Sequence, residues 1–399
     1  MKIQLMDIKR QHKSHKKEYE RAALKVLRSG KYIGGDEVSL FEKEFASYEG
    51  AKYGISCGNG TDALVIALRA LGIGHGDEVI VPAWTFFATA ESVSAVGATP
   101  VFVDVDEKSY CLDASKIEEK ITNKTKAILP VHFYGNCCEM DQLKAICEKY
   151  NLFLVCDCAQ STGTEYKGKR SNTLGDVSCF SFFPTKNLGC DGDGGMILTN
   201  NEDIASMCRS LKVHGSGKDG LNSLKRIYES KGLKLPSNMP LGETKYYNYL
   251  IGYNSRLDAL QAAILRAKLT HLDSFILKRR ENAAFYNSEL KNSHLVLPYS
   301  AEYIGHSYYI YALQHKEAEK IIKKLNEREI GTGIYYPVPL HLQGAYSFLG
   351  YKEGDFPVTE RLAKETFVLP VFPELTKKEL KYIVDNLLSI MEEIKWNMH

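Results

Sequence analysis

Between residues 53 and 200 the chain alternates short apolar runs with longer amphipathic ones. The runs 54–57, 78–81, 100–103, 127–130 and 152–156 have the length and apolarity of buried strands. Between them, 62–71, 86–96, 112–121 and 140–150 read as helices. Such alternation predicts a parallel sheet covered on both faces, with any ligand at the carboxyl ends of the strands. Further strands at 177–181 and 195–198 complete that sheet. Upstream, helices are predicted at 19–28 and 37–48. The glycine-rich break between them, 29–35, is either a plain turn or a loop that folds over a ligand.

A helix is predicted over 201–214. The stretch 218–249 shows no clear period and carries six Lys/Arg against three acids. It reads as a surface excursion, either a tolerated insertion or a partly ordered flap with a role in substrate binding. A long linking helix is predicted over 256–290, with Leu257, Leu260, Ile264 and Ala267 at helical spacing and Ser255-x-x-Asp258 resembling a capping box. The remainder alternates strands (306–313, 332–335, 367–369) with helices (316–328, 359–365, 377–394), the last opened by Thr376-x-x-Glu379. The expected organisation is a large α/β domain over 1–255, the link 256–290, and a small α+β domain over 291–399.

Composition narrows the function classes. The chain has 399 residues and a formal net charge of +2, which gives no electrostatic mandate for nucleic acid or anionic membrane. No run approaches the ~20 apolar residues of a membrane span, and the N-terminal stretch is charged, without the apolar core of a signal peptide. Ten cysteines in such a chain imply reduced thiols and a cytoplasmic location. Cys137-Cys138 and Cys156-x-Cys158 lack zinc or redox spacing, so no metal is expected.

The candidate chemistry centres on Lys186, a long amine just after the apolar strand 177–181, flanked by Ser181 and Thr185. It suits an imine with an aldehyde cofactor, and desolvation by the neighbouring aromatic run favours the reactive neutral amine. Gly58-Asn59-Gly60-Thr61-Asp62, between a strand and a helix, has the form of an anion-binding turn. Trp84, Phe86 and Phe87 follow a strand, as core residues or as a ring that stacks on a heterocycle. Asp157 ends an apolar strand; it caps a helix or pairs with a cationic ring nitrogen, and Gln160 can hydrogen-bond a ring hydroxyl or hold a neighbour. An imine lysine, an acid, a phosphate cup and a stacking ring in this order match the needs of pyridoxal 5'-phosphate.

Longer stretches carry a resemblance. NGTDAL (59–64), GDEVIVPAWTFFATA (76–90), GDVSCFSFFPTKNLGCDGDGG (175–195), GYNSRLDALQAA (252–263) and GTGIYYPVPLH (331–341) are similar to the DegT/DnrJ/EryC1/StrS family of sugar aminotransferases. The resemblance implies the aspartate aminotransferase-like fold (fold type I of the pyridoxal phosphate enzymes). It implies Lys186 as imine lysine and proton shuttle, Asp157 at the pyridine nitrogen, and Gln160 near the ring hydroxyl. Gly60, Thr61, Asp62 and Ser181 would contact the phosphate, Phe86 would stack, and Asn254 would reach the phosphate from a second subunit, so a homodimer shares the site. Trp84, Tyr335, Tyr336 and His341 would lie near substrate. The implied reaction moves an amino group from L-glutamate to a nucleotide-linked keto sugar. Gln160 resembles the 3-keto enzymes, with a 4-keto aminotransferase as the competitor. A sugar dehydratase, which has His in place of the lysine, and a non-catalytic sensor are the other readings.

Overall fold

The computed structural model describes residues 1–237, 239–240 and 246–396. Helices α1 (Ile8–Ser29) and α2 (Asp36–Tyr48) precede strand β1 (Tyr53–Cys57) and helix α3 (Gly60–Ala70). Then come β2 (Glu78–Pro82), α4 (Ala88–Ala95), β3 (Thr99–Val103), β4 (Thr125–Ile128), α5 (Met140–Tyr150) and β5 (Phe153–Asp157). Strands β6 (Val177–Ser181) and β7 (Gly195–Thr199) close a seven-stranded sheet of order β1-β7-β6-β5-β4-β2-β3. All pairings from β3 across to β6 are parallel; only β7 runs against its neighbours. The α/β expectation therefore holds, and the carboxyl ends of β1, β2, β5 and β6 share one edge.

Both faces of the sheet are covered, which is why its strands are apolar throughout rather than alternating. One face packs Phe41 and Phe45 of α2 edge-on against Phe180 and Phe182. The other buries α3 from Ala63 to Leu68 against Ile55, Val79 and Val155. A third core joins α9 (Leu272–Leu290), strands β8 (Tyr311–Gln314) and β9 (Thr366–Leu369), α10 (Ala318–Glu327) and α12 (Lys377–Trp396), with α11 (Pro357–Glu365) leading into β9. Ile3 is buried in it and bridges to Ile330, so the chain's start belongs to the same core as its end.

Several expectations fail locally. Instead of a helix, 112–121 holds two short 3₁₀ turns, because Asp113 takes the N–H and hydroxyl of Ser115 in a local turn. The stretch 217–230 is helix α7 (Gly217–Ser230), packed on α6 (Glu202–Leu211) through Ser206–Asp219 and Arg226–Asp203 contacts. The rest of the predicted excursion falls partly on 238 and 241–245, outside the described residues. The long helix 256–290 is two helices, α8 (Ala259–Leu269) and α9, interrupted at Thr270 and His271. Ser255 does not cap α8; its hydroxyl is bonded to Asp62 and to the N–H of Gly58. Residues 332–335 form no strand and touch β9 through Thr332 Oγ1 and the carbonyl of Gly333. Among the described residues no helix is long and apolar enough to cross a membrane.

The second capping box is present: Glu379 N–H donates to Thr376 Oγ1 (3.2 Å) and Thr376 N–H to Glu379 Oε2 (2.9 Å). Arg10 of α1 donates to the same carboxylate (2.9 Å), tying α1 to α12, and this bond holds the Glu379 carboxyl down at about 2. A carboxylate with a depressed folded pKa stabilises the fold above its unfolded pKa of about 4.3, and that contribution is lost as pH falls toward 2. Urea unfolding should therefore show Arg10→Met less stable than the parent at pH 7, with the gap shrinking at about pH 3. An equal gap at both would refute the pairing.

Candidate active site

A cavity of about 750 Å³ opens between the carboxyl ends of the strands and the segments around β8 and β9. Its floor is built from Gly60, Thr61, Asp62, Asp157, Gln160, Ser181 and Lys186, and Phe86 also lines it. Its wall comes from Leu5 and Met6 near the chain's start, Tyr309 before β8, Tyr335 and Tyr336, and Val368 and Val371 at β9.

Asp157 is the last residue of β5, placed by pairing opposite Cys179 of β6. It is 5% exposed. One carboxylate oxygen accepts the N–H of Ala159 (3.1 Å), the other the hydroxyl of Thr89 (2.9 Å), which is itself bonded to Thr85. Burial pushes this carboxyl up, against those two donors and the charge of Lys186. A carboxylate so placed is stabilised by a further cation in the cavity. Gln160, also buried, accepts the N–H of Tyr134 at Oε1 (2.9 Å). That fixed backbone donor assigns the amide oxygen and leaves the Nε2 donors for the cavity.

The start of α3 supplies the anion site. Asn59 caps the helix by accepting the Asp62 N–H (2.8 Å). The N–H groups of Gly60 and Thr61 belong to the first helical turn, where no intrahelical acceptor exists. A Cβ on Gly60 would lie 2.7 Å from Ser181 Cβ, so the end of β6 presses directly on the helix start. One oxygen of the Asp62 carboxylate accepts the Ser255 hydroxyl at 2.6 Å.

Lys186 follows β6 in a turn closed by its own N–H on the Phe183 carbonyl (2.9 Å). The glycine-rich loop beyond it is pinned from below, where buried Lys268 of α8 donates to Gly189 O (2.8 Å) and Asp191 Oδ1 (2.6 Å). The Lys186 amine lies over the ring of Tyr309, 4.5 Å from its centroid. Burial raises the Tyr309 phenol, but the Lys186 charge and contacts with Thr185 and Lys186 outweigh it, and its proton affinity ends below the ordinary value.

Not every expected residue reaches the cavity. Trp84 is 1% exposed and packs edge-on to Phe133 and Tyr110, with Nε1 donating to the Tyr336 carbonyl at 2.8 Å. That bond ties it to the tyrosine pair, and it does not line the cavity. His341 is buried, its Nε2 3.0 Å from Glu360 and its ring against Phe356, away from the lining. Asn254 is exposed and does not line its own chain's cavity, though its neighbour Ser255 is bonded to Asp62. Phe86 sits half-exposed at the mouth, 5.4 Å from Tyr336. Thr89 and Tyr309 escaped the sequence reading. Thr89 had a signal, since Thr85 and Thr89 lie four apart in an apolar stretch; Tyr309 had none.

The donor set fits pyridoxal phosphate: a buried acid with room for a cation, an amide donor beside it, unpaired helix-start N–H groups and an amine. Comparison with known proteins agrees. The profile of the DegT/DnrJ/EryC1/StrS aminotransferase family matches residues 13–388. The chain is 42% identical to a "Pleiotropic regulatory protein" of Geobacillus stearothermophilus, over 97% of this chain and 98% of the relative. It is 43% identical to the "dTDP-3-amino-3,6-dideoxy-alpha-D-galactopyranose transaminase" of Aneurinibacillus thermoaerophilus, over 96% and 98%. The solved structure of S. venezuelae DesV in complex with a ketimine intermediate superposes with a TM-score of 0.90 at 36% identity, over 98% of this chain and 99% of that one.

Thr89→Val keeps the shape and removes the donor to Asp157. The carboxyl should then bind its proton more tightly and pair less well with a ring cation, weakening cofactor binding about tenfold, as expected for a lost hydrogen bond to a buried charge. Absorbance titration of the apoprotein with pyridoxal phosphate measures this; unchanged affinity would remove Thr89 from the site.

Proposed function

Because the chain belongs to the DegT/DnrJ/EryC1/StrS aminotransferase family, whose members depend on pyridoxal phosphate, we propose that it moves an amino group from L-glutamate to a nucleotide-linked 3-keto sugar. The observation that carries this reading is the buried Asp157 sharing one cavity with Lys186 and the unpaired start of α3.

In this reading Asp157 keeps a proton on the ring nitrogen, and Gln160 Nε2 donates to the ring hydroxyl. Gly60 and Thr61 N–H groups and the Ser181 hydroxyl bind the phosphate; Asp62 acts through Ser255, holding the helix start in place. Phe86 covers a ring face. Pyridoxal phosphate, when bound, supplies an electron sink for negative charge on the carbon next to nitrogen. Lys186, as the free amine, takes the proton from donor carbon at Nζ and returns it at the mirror step on the sugar. The Tyr309 ring receives that amine when it is not covalently engaged. Tyr335 and Tyr336 border the space left for the sugar.

Glutamate as donor and the 3-keto position are the finer parts of the proposal. Gln160 supports the 3-position, as does the 3-amino product in the name of the Aneurinibacillus relative. A 4-keto substrate is the alternative; Lys186 stands where the related sugar dehydratases carry His. The test is a panel of dTDP- and UDP-linked 3-keto and 4-keto sugars generated in situ, with mass detection of the aminated product. Faster amination of a 4-keto sugar would overturn the regiochemistry, and amination of none would overturn the substrate class.

A site shared between two subunits is supported by Asn254, exposed on its own chain beside the Ser255–Asp62 bond. In a homodimer, Asn254 of the partner subunit completes the phosphate cup. Exposed Phe183 and Ile251 provide apolar surface for such an interface. Lys186→Ala and Asn254→Ala should each be inactive alone. Co-refolded in equal amounts they should recover about a quarter of parental activity, because half the dimers are mixed and one of two sites in each is intact. No recovery from folded, dimeric protein would place Asn254 in its own chain's site.

A further inference from the structure

Away from the cavity, α1 and the α8–α9 junction bring two histidines and a glutamate together. His15 lies inside α1 at a point where the backbone leaves helical geometry (φ −121°, ψ 19°), and Glu18 follows three residues on. His271 occupies the interruption between α8 and α9 (φ −104°, ψ −5°). Glu18 Oε2 is 2.8 Å from His271 Nε2, and the two imidazole centroids are 4.1 Å apart. One donor atom from each of the three residues lies within 4.8 Å of the other two. Among the described residues nothing hydrogen-bonds the ring nitrogens of His15.

We propose that His15, Glu18 and His271 form a binding site for a divalent transition-metal ion, zinc in the first instance. Two imidazole nitrogens and one carboxylate oxygen are a donor set zinc accepts, and three protein ligands leave a fourth position for water. Donors about 2.0–2.1 Å from a tetrahedral ion stand roughly 3.3 Å apart, so the widest separation here closes by about 1.5 Å. Both histidines sit where the helical backbone is already interrupted, which makes that adjustment local. Tyr19 stacks on His15 at 5.4 Å and Phe275 meets it edge-on at 5.6 Å, walling the site with rings. The three side chains are each partly buried, so the ion would be seated between elements. It would clamp α1 to the end of α8, three residues from Lys268, which pins the loop beyond Lys186.

The test uses the cofactor-loaded protein, stripped of metals with a chelator and dialysed. Titration with zinc chloride in a calorimeter should show saturable binding of one ion per chain, with a rise in unfolding temperature. His15→Gln and His271→Gln should each weaken that binding at least tenfold and abolish the thermal shift, while keeping the cofactor absorbance of the parent. Glu18→Gln should weaken it as well. Absence of saturable binding overturns the proposal. So does binding that persists undiminished in both histidine variants, which would assign the ion to other groups such as cysteines.

Discussion

A carboxylate buried at the end of β5 is the constraint to which the site answers. Asp157 costs the fold several kcal/mol of lost hydration unless something charged or polar meets it. The Ala159 N–H, the Thr89 hydroxyl and the nearby Lys186 charge meet part of that demand and leave the carboxyl with a raised proton affinity. A cationic ring nitrogen would meet the rest. On the proposed reading, the acid is held ready, at some cost in stability, for a partner that only binding supplies. Parallel pairing of β4, β5 and β6 is what puts that acid level with the amine-bearing turn after β6 and the helix start after β1.

The Lys186 amine is held less by its own contacts than by the frame beneath it. Gly189 approaches Pro184 so closely that a Cβ there would sit 2.4 Å from the Pro184 carbonyl oxygen. Lys268 of α8 draws the same loop down through Gly189 and Asp191. The packing of α8 on α1 and α2 therefore reaches Lys186 through two hydrogen bonds. The cavity's apolar wall has a similar long-range origin. Ile3 pairs with Ile330, and this carries Leu5 and Met6 across to face β9. Residues 5–6 and the segment 368–371 thus line one cavity.

Where the sequence reading missed, a residue of the right type had a partner far away in the chain. Ser255 has the spacing of a helix cap, but its hydroxyl is engaged by Asp62, 193 residues earlier. Trp84 lies among aromatics suited to stacking, but its indole is buried and spent on the Tyr336 carbonyl, 252 residues on. His341 follows the tyrosine pair closely and is consumed by Glu360. In 112–121, local competition by Asp113 defeats a helix that periodicity alone favours. At 256–290 the apolar spacing continues through Thr270 and His271 although the axis does not.

The strands of the seven-stranded sheet, their order along the chain and, β7 apart, their parallel character were legible from periodicity and apolarity, because a sheet covered on both faces imposes that pattern directly. The kinds of residue at strand ends were legible for a similar reason: a lysine, an acid and a glycine turn in those places are poorly explained as surface or core. Folding settled which polar groups remain available once every nearer demand has been met. Thr89 reaches Asp157 and Tyr309 lines the cavity, while Trp84 and His341 do not, because hydrogen bonds and ring contacts over tens to hundreds of residues use up some side chains and free others. That accounting is a property of three-dimensional neighbours, and no spacing along the chain contains it.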